Sequence, residues 1–178
     1  HHVHLVLGTR ADPPLPLARW RVRSQLAEMR ADDLRFDTAE TTTFFNQMLG
    51  LALSSAEIAT LETRTEGWIA ALQLVALSMQ GRQHTAEFVA AFNGSNRFIV
   101  DYLAEEVWQR LPPDIQHFLM QTALFERFCS DLSTVVTGHT NAQAVLTDLD
   151  QANLFLIALD DERKWYRYHH LFRDLLLQ

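Results

Sequence analysis

Arg10 occupies a position in sequence that is typical of residues that bind phosphate groups. It follows the apolar run at residues 5–7 and the pair Gly8 and Thr9, so the pattern predicts an arginine just past the end of a buried strand. A guanidinium keeps its charge and offers a rigid fork of donors, and α/β sheets bind ligands at the carboxyl ends of their strands. Two alternatives stay open: Arg10 contacts a phosphate, or it is a surface arginine paired with Asp12.

A pair of histidines, His169 and His170, stands at the predicted start of a helix in the stretch YRYHHLFRDLL. A helix start presents N–H groups and the positive end of the helix dipole to an anion. The alternatives here are an anion contact and a packed or capping histidine. Gly67, at another predicted helix boundary, would allow close approach of a backbone to a ligand.

The sequence gives little support for a phosphate-binding loop, a catalytic site or a metal site. The chain lacks the phosphate loop G-x-x-x-x-G-K-[ST] and the patterns G-x-G-x-x-G and G-x-S-x-G. The acids at 160–162 are expected to be solvated in a turn, and Cys129 has no activating neighbour in sequence. No third ligand stands at a metal-binding spacing from the histidine pair. We therefore predict neither a catalytic site nor a metal site, and we do not expect an enzyme.

The composition sets further bounds. The chain has 178 residues, of which 48% are hydrophobic, so it is able to build a core. Its net charge of −7 disfavours a broad nucleic-acid surface, and its single cysteine excludes an internal disulfide. No apolar stretch reaches the length of a membrane span. These features predict a cytoplasmic protein without a membrane partner.

The elements that must position these residues are mainly α-helical. A short buried strand is predicted at 3–8, and a short helix at 17–23. Four helices follow, in the stretches 36–50, 54–67, 67–81 and 97–111. Asp37 or Thr38 is the predicted cap of the first, with Glu40 three residues beyond Asp37 as a capping-box pair, and Ser54 and Glu57 form the same pair at the second. Gly50 and Gly67 are predicted helix ends, and the helix after Gly67 places Trp68 on its apolar face.

The order of elements changes after residue 112. Pro113 or Pro112 is the predicted first residue of a helix, Ser130 a predicted cap and Gly138 a predicted helix end. Two short β-runs around 160–163 indicate a hairpin, and three helices followed by a hairpin is the order of a winged helix. We predict three parts: a sheet remnant at 1–36, a helical cluster at 37–111 and a winged-helix domain at 112–178.

Three stretches taken together resemble the MalT type of ATP-dependent transcriptional activators, which belong to the LuxR superfamily and carry a STAND ATPase core. They are LVLGTRADPPLPLARWRVRSQLAEMRADDLRF, TEGWIAALQLVALSM and YRYHHLFRDLL. The resemblance implies a fragment holding the last strand of an α/β ATPase sheet, a helical lid and a winged helix.

The resemblance also implies roles for single residues. Arg10 falls at the sensor arginine that reads the terminal phosphate of ATP, while the following Arg19, Arg21 and Arg23 are expected to pair with acids or to line a subunit face. Gly67 falls in a G-x-P-like motif, in which Ile69 stands where the family has a proline against adenine. His169 falls at the histidine of the M-H-D motif, which contacts the β-phosphate of ADP, and His170 stands at the aspartate position.

The function implied by the resemblance is a switch. ADP would hold a closed monomer through His169, and ATP with an inducer would let the winged helix swing away and the protein oligomerise. ATP or ADP is expected in the full-length protein, a slow ATPase, and not tightly bound to this fragment. The implied partners are the preceding P-loop half of the same chain and a second copy, with DNA bound only through a separate C-terminal domain. The alternative is a stand-alone winged-helix DNA-binding module, although the helix predicted at 140–152 carries no Lys or Arg.

Overall fold

The computed structural model describes residues 4–9, 12–79 and 85–178, and this part of the chain is mainly helical, as predicted. Its α-helices are α1 (Leu17–Val22), α2 (Thr38–Thr42), α3 (Ser55–Thr65), α4 (Ile69–Met79), α5 (Thr85–Ala91), α6 (Arg97–Glu106), α7 (Pro113–Thr122), α8 (Ser130–Thr137), α9 (Ala142–Gln151) and α10 (His170–Leu176). Short 3-10 helices lie at Asp32–Leu34 and Trp108–Arg110. The helix expected to run from 97 to 111 is therefore divided.

Both predicted capping boxes are confirmed. The Asp37 carboxylate accepts from the N–H of Glu40 at 2.8 Å, and the Glu40 carboxylate accepts from the N–H of Asp37 at 3.1 Å. Ser54 and Glu57 make the same reciprocal pair at the start of α3. Each box satisfies N–H groups that the first turn of a helix leaves without an internal partner.

The helix that begins at α2 departs from the prediction after one turn. The backbone widens into a π-helix over Thr43–Met48, in place of a single α-helix reaching Gly50. The Asn46 side chain closes this region by accepting from the N–H of Leu53 at 2.6 Å and donating to its carbonyl at 2.8 Å. The apolar spacing did not reveal the change, because a π-turn shifts the register by only one residue.

A winged helix follows, with α7, α8 and α9 leading into a hairpin of β1 (Leu156–Ala158) and β2 (Tyr166–Tyr168). The strands are antiparallel, with Leu156 opposite Tyr168 and Ala158 opposite Tyr166. Phe128 extends the ladder by exchanging two backbone hydrogen bonds with Tyr166, at 2.9 and 2.8 Å. The predicted hairpin and its position after three helices are confirmed.

The helix boundaries in the winged helix agree with the sequence at two of three predicted positions. Pro113 is the first residue of α7, and Gly138 ends α8 with a φ of +70°. The prediction that Ser130 caps α8 is wrong, because Ser130 is already helical and Cys129 is the N-cap, without a side-chain hydrogen bond.

The predicted strand at 3–8 is not formed in its described part. Residues 4–9 have no regular structure, and Leu5, Val6 and Leu7 are exposed. A strand needs a hydrogen-bonded neighbour, and the hairpin is the sheet that the described residues contain. No residue of the described segment before Thr41 is buried, so this segment lies on the surface.

One core runs through the helical cluster and the winged helix. Helix α10 contacts α3 and α6, and its Leu171 and Phe172 are at most 1% exposed. The Phe155 ring lies 5.2 Å from Phe172 and 5.0 Å from Trp68, so it joins the two parts. Among the described residues, no helix is long and apolar enough to cross a membrane.

Candidate functional site

The corner between α3 and α4 is where the helical cluster meets the winged helix. Helix α3 ends at Thr65, and the next two residues, Glu66 and Gly67, turn the chain with left-handed φ values of +51° and +70°. The carbonyl oxygens of Thr65, Glu66 and Gly67 accept hydrogen bonds from His169, Arg35 and the Phe36 N–H, respectively.

Gly67 faces backbone. A Cβ at this position would lie 2.3 Å from the carbonyl oxygen of Phe36 and 3.2 Å from the Arg35 Cβ, so no side chain fits there. The Phe36 N–H donates to the Gly67 carbonyl at 2.8 Å. The close approach predicted for this glycine is therefore made by residues 35–36 of the same chain.

His169 is the N-cap of α10 and is only 3% exposed. Its Nδ1 accepts from the N–H of Leu171 at 3.3 Å, which leaves the proton on Nε2. Nε2 lies 2.9 Å from the carbonyl oxygen of Thr65 and donates to it. Both ring nitrogens are thus engaged with the protein, and the imidazole joins α10 to the end of α3.

The surroundings of His169 keep its ring neutral. Burial lowers the pKa of His169 from 6.5 to about 4, and it outweighs the opposing influences of the Glu66 carboxylate and the Thr65 carbonyl. At neutral pH the ring therefore carries no charge and keeps one donor and one acceptor.

Glu66 makes the strongest polar contacts of the corner. Its carboxylate accepts two parallel hydrogen bonds from the Arg167 guanidinium at 2.8 and 2.9 Å, and a third from the N–H of His170 at 3.1 Å. Its carbonyl accepts from Arg35 Nη1 at 2.6 Å. Burial alone raises the pKa of the Glu66 carboxyl, but its contacts with Arg167 and the His170 N–H help to lower it to about 2.

Aromatic rings surround the buried imidazole. The His169 ring centre lies 5.9 Å from that of Trp68 and 5.8 Å from that of Phe155, both in edge-to-face geometry. Trp68 also contacts Tyr102 at 5.7 Å. Phe155 has a φ of +55°, rare for a bulky residue, and its carbonyl accepts from the N–H of His169 at 2.8 Å.

The structure brings some of the predicted site residues together. Gly67 and His169 lie at the same corner, since His169 contacts Thr65 and Trp68, the two residues that flank Glu66 and Gly67 in sequence. Ile69 begins α4 two residues beyond Gly67 and is half-buried against the core. Arg10 lies outside the described residues.

Three arginines near Arg10 were expected to pair with acids or to line a subunit face. Arg21 does pair, making two hydrogen bonds to Glu28 at 2.8 and 2.9 Å. Arg19 and Arg23 are exposed. Asp12, the expected partner of Arg10 in the alternative interpretation, bonds to Arg30.

The residues that sequence reasoning missed are Glu66, Arg167 and Arg35. Glu66 and Arg167 stand 101 positions apart, and no local pattern links them. The one available signal was the dipeptide Glu66–Gly67 at a helix end, which indicates a turn and not an ion pair.

Two clefts open near the corner and the hairpin, and neither is lined by Gly67, Ile69 or His169. One of about 180 Å³ lies between α3 and α10, lined by Thr63, Arg64, Asn93, His170, Leu171 and Asp174. The other, of about 410 Å³, lies beside the hairpin, lined by Ala158, Leu159, Asp160, Asp161 and Arg163. Within the described ranges, no group of three or more His, Cys, Asp or Glu residues is placed to hold a metal ion.

Comparison with known proteins agrees with this architecture. Residues 104–178 match the family model of the MalT winged helix domain. Over 176 residues the chain is 35% identical to the serine/threonine-protein kinase PknK of Mycobacterium tuberculosis (strain ATCC 25618 / H37Rv), covering 99% of this chain and 16% of that protein.

Two relatives of another kind cover the chain equally well. The chain is 38% identical over 176 residues to the HTH-type transcriptional regulator MalT of Vibrio campbellii, and 38% identical over 177 residues to that of Vibrio cholerae. Each match covers 97% of this chain and 19% of the relative. The chain thus spans less than a fifth of the length of these relatives, and its residues 104–178 are similar to the MalT winged helix domain.

Proposed function

We propose that this chain is the regulatory part of a MalT-type transcription regulator that responds to ATP and ADP. In this proposal the helical cluster and the winged helix pass a nucleotide-dependent change to the rest of a longer protein, which changes between a closed monomer and an active oligomer. The observation that supports this proposal most directly is the buried hydrogen bond between His169 and Thr65, at the corner that also holds Gly67.

The similarity to two differently named kinds of relative supports a regulatory role. One is named as a protein kinase and the other as a transcriptional regulator, and both match nearly the whole of this chain. A region that both kinds of protein share is better explained as a regulatory unit than as the part that phosphorylates protein or binds DNA. This argument also agrees with the absence of catalytic sequence motifs noted above.

The residues of the corner do not fit a direct nucleotide contact as they are arranged here. Both His169 ring nitrogens have protein partners, and Gly67 abuts Phe36. We therefore assign His169 a positioning role: it holds α10 against the end of α3. Nucleotide binding is proposed for the preceding P-loop half of the full-length protein, with Arg10 as its sensor, and this chain alone is not expected to bind ADP tightly.

DNA binding by the winged helix itself is disfavoured by charge. Helix α9 exposes Asp148 and contains no Lys or Arg, while Asp150 is held by Arg163 at 2.6 Å. Phosphate contacts require positive charge on the bound element. The proposal therefore leaves DNA binding to a separate C-terminal domain and places the full-length protein in the cytoplasm.

The test uses the full-length protein that contains this chain. Its release of bound ADP and its oligomeric state are measured for the wild type and for His169→Ala, with His117→Ala, an exposed histidine of α7, as the control. We expect ADP release to quicken and the oligomer to gain population only in His169→Ala. An unchanged release rate, or micromolar ADP binding by the 178-residue chain alone, would contradict the proposal.

A further inference from the structure

Glu66, the residue that follows α3, contacts two other parts of the chain. On one side Arg35 donates to the Glu66 carbonyl and lies 3.8 Å from the Glu66 carboxylate, and Arg35 also forms an ion pair with the exposed Asp32. On the other side the Glu66 carboxylate accepts from Arg167 and from the N–H of His170. Its side chain is only 13% exposed, so these protein groups supply most of its surroundings.

The backbone of Glu66 makes the two sides interdependent. A φ of +51° is unfavourable for a residue with a side chain, and such a conformation persists only where the surroundings hold it. Arg35 holds the carbonyl and Arg167 holds the carboxylate. The Glu66 N–H also donates to the Glu62 carbonyl at 2.7 Å, so the end of α3 stays formed when either arginine contact is lost, but the Glu66 peptide and side chain are then held from one side only and the other contact weakens.

We propose that Glu66 is a positioning residue that couples residues 35–36 to the first turn of α10. Within the described part of the chain, Arg35 makes its hydrogen bonds with Asp32 and Glu66 and has none with α10. Movement of Arg35 or Phe36 therefore acts through Glu66 when it weakens the hydrogen bonds of the His170 and Leu171 N–H groups. The inference deepens the proposed function, on which its regulatory meaning rests, since it names the path by which a change before residue 37 reaches the winged helix.

Hydrogen exchange in the full-length protein, without added nucleotide, tests the coupling. The readout is the opening of the amides of His170, which donates to Glu66, and Leu171, which donates to His169. We expect about tenfold faster exchange in Arg35→Ala and in Glu66→Gln, a change of about 1.4 kcal/mol in opening free energy. The control Arg97→Ala, an arginine that is 84% exposed beside Asp101, is expected to leave these amides unchanged.

The double variant separates coupling from two independent losses. If Glu66 is the relay, Arg35→Ala combined with Glu66→Gln exchanges no faster than Glu66→Gln alone. Arg167→Lys, which keeps the charge and loses the paired hydrogen bonds, is expected to give an intermediate increase. Exchange of amides within α4 serves as the measure of global unfolding and is expected to stay unchanged.

Two results would overturn the proposal. One is an Arg35→Ala protein in which His170 and Leu171 exchange as in the wild type. The other is a double variant whose increase equals the product of the two single increases. Because exchange is read without nucleotide, a full-length protein that fails to bind ADP would refute the proposed function and leave this result to be judged separately.

Discussion

Replacing Gly67 by alanine tests how much the contact between the corner and residues 35–36 stabilises the fold. The new Cβ would stand 2.3 Å from the Phe36 carbonyl oxygen and 3.0 Å from its nitrogen. The chain must therefore move residues 35–36 away from the corner. Gly67→Ala also places a side chain at a φ of +70°.

The expected loss of stability has three parts. A non-glycine residue in the left-handed region costs about 1 kcal/mol. Breaking the hydrogen bond from the Phe36 N–H to the Gly67 carbonyl costs about 1 kcal/mol, and disturbing the Arg35 bond to the Glu66 carbonyl about 1.5 kcal/mol. Together they predict a decrease of about 3 to 4 kcal/mol in the free energy of unfolding.

Gly138 provides a matched control. It has the same φ of +70°, but nothing lies within 4 Å of the position that its Cβ would take. Gly138→Ala therefore loses only the conformational part, about 1 kcal/mol. The comparison isolates the contact with Phe36 from the backbone preference.

Urea denaturation of the 178-residue chain measures both changes. With a slope of about 2 kcal/mol per molar urea, the midpoint falls by about 1.5 to 2 M in Gly67→Ala and by about 0.5 M in Gly138→Ala. Equal decreases in the two variants would refute the reasoning, because the contact with residues 35–36 would then contribute nothing.

Two other predictions concern buried polar groups. The hydroxyl of Thr41 is fully buried without a hydrogen-bond partner, so Thr41→Val is expected to raise the free energy of unfolding by about 1 kcal/mol. Thr122→Val, which removes a hydroxyl 2.6 Å from that of Tyr168, is expected to lower it by about 1 kcal/mol, and shifts of the same sign in urea denaturation would contradict this account. The pKa of His169 is about 4 in the folded chain, so between pH 4 and 6.5 the unfolded chain binds a proton that the folded chain does not. The free energy of unfolding therefore falls as the pH decreases from 6.5 to 4, by up to about 1.4 kcal/mol per pH unit. His169→Gln is expected to flatten the curve between pH 4.5 and 6.5, above the range in which Glu66 titrates, and parallel curves for the two proteins would show that His169 is not the buried neutral group.

Local signals were enough to predict most of the helices, the capping boxes and the hairpin, although α5 was not predicted. The pairs Asp37–Glu40 and Ser54–Glu57 act within one turn, and the charged run at 160–163 marks a turn between two β-runs. In each case the residues that determine the element stand next to it in sequence. The strand predicted at 3–8 fails for the opposite reason, since a strand is completed only by a neighbour that its own residues cannot supply.

The candidate site shows the same division. Gly67 and His169 were found because glycine at a helix end and histidine at a helix start are local features. Their partners were not, because Phe36 reaches Gly67 across 31 positions of sequence and Thr65 reaches His169 across 104. Only the folded chain shows that both contacts converge on one corner, with Glu66 between them.

The continuous core limits how the proposed switch is able to move. Complete exposure of Leu171 and Phe172 costs about 1.5 to 3 kcal/mol for each side chain. A ligand shifts an equilibrium only by its difference in affinity between two states, and about 5.5 kcal/mol is needed to take a population from 1% to 99%. Full separation of α10 would expose both side chains and so raise the required difference in binding free energy by about the same amount again. A rearrangement at the corner costs less, because Arg35, Arg167 and His170 are partly exposed and are able to exchange partners with water, at about 1.5 kcal/mol for each hydrogen bond to a charged group. The response we propose is therefore a change of polar partners around Glu66, with α10 remaining on the core.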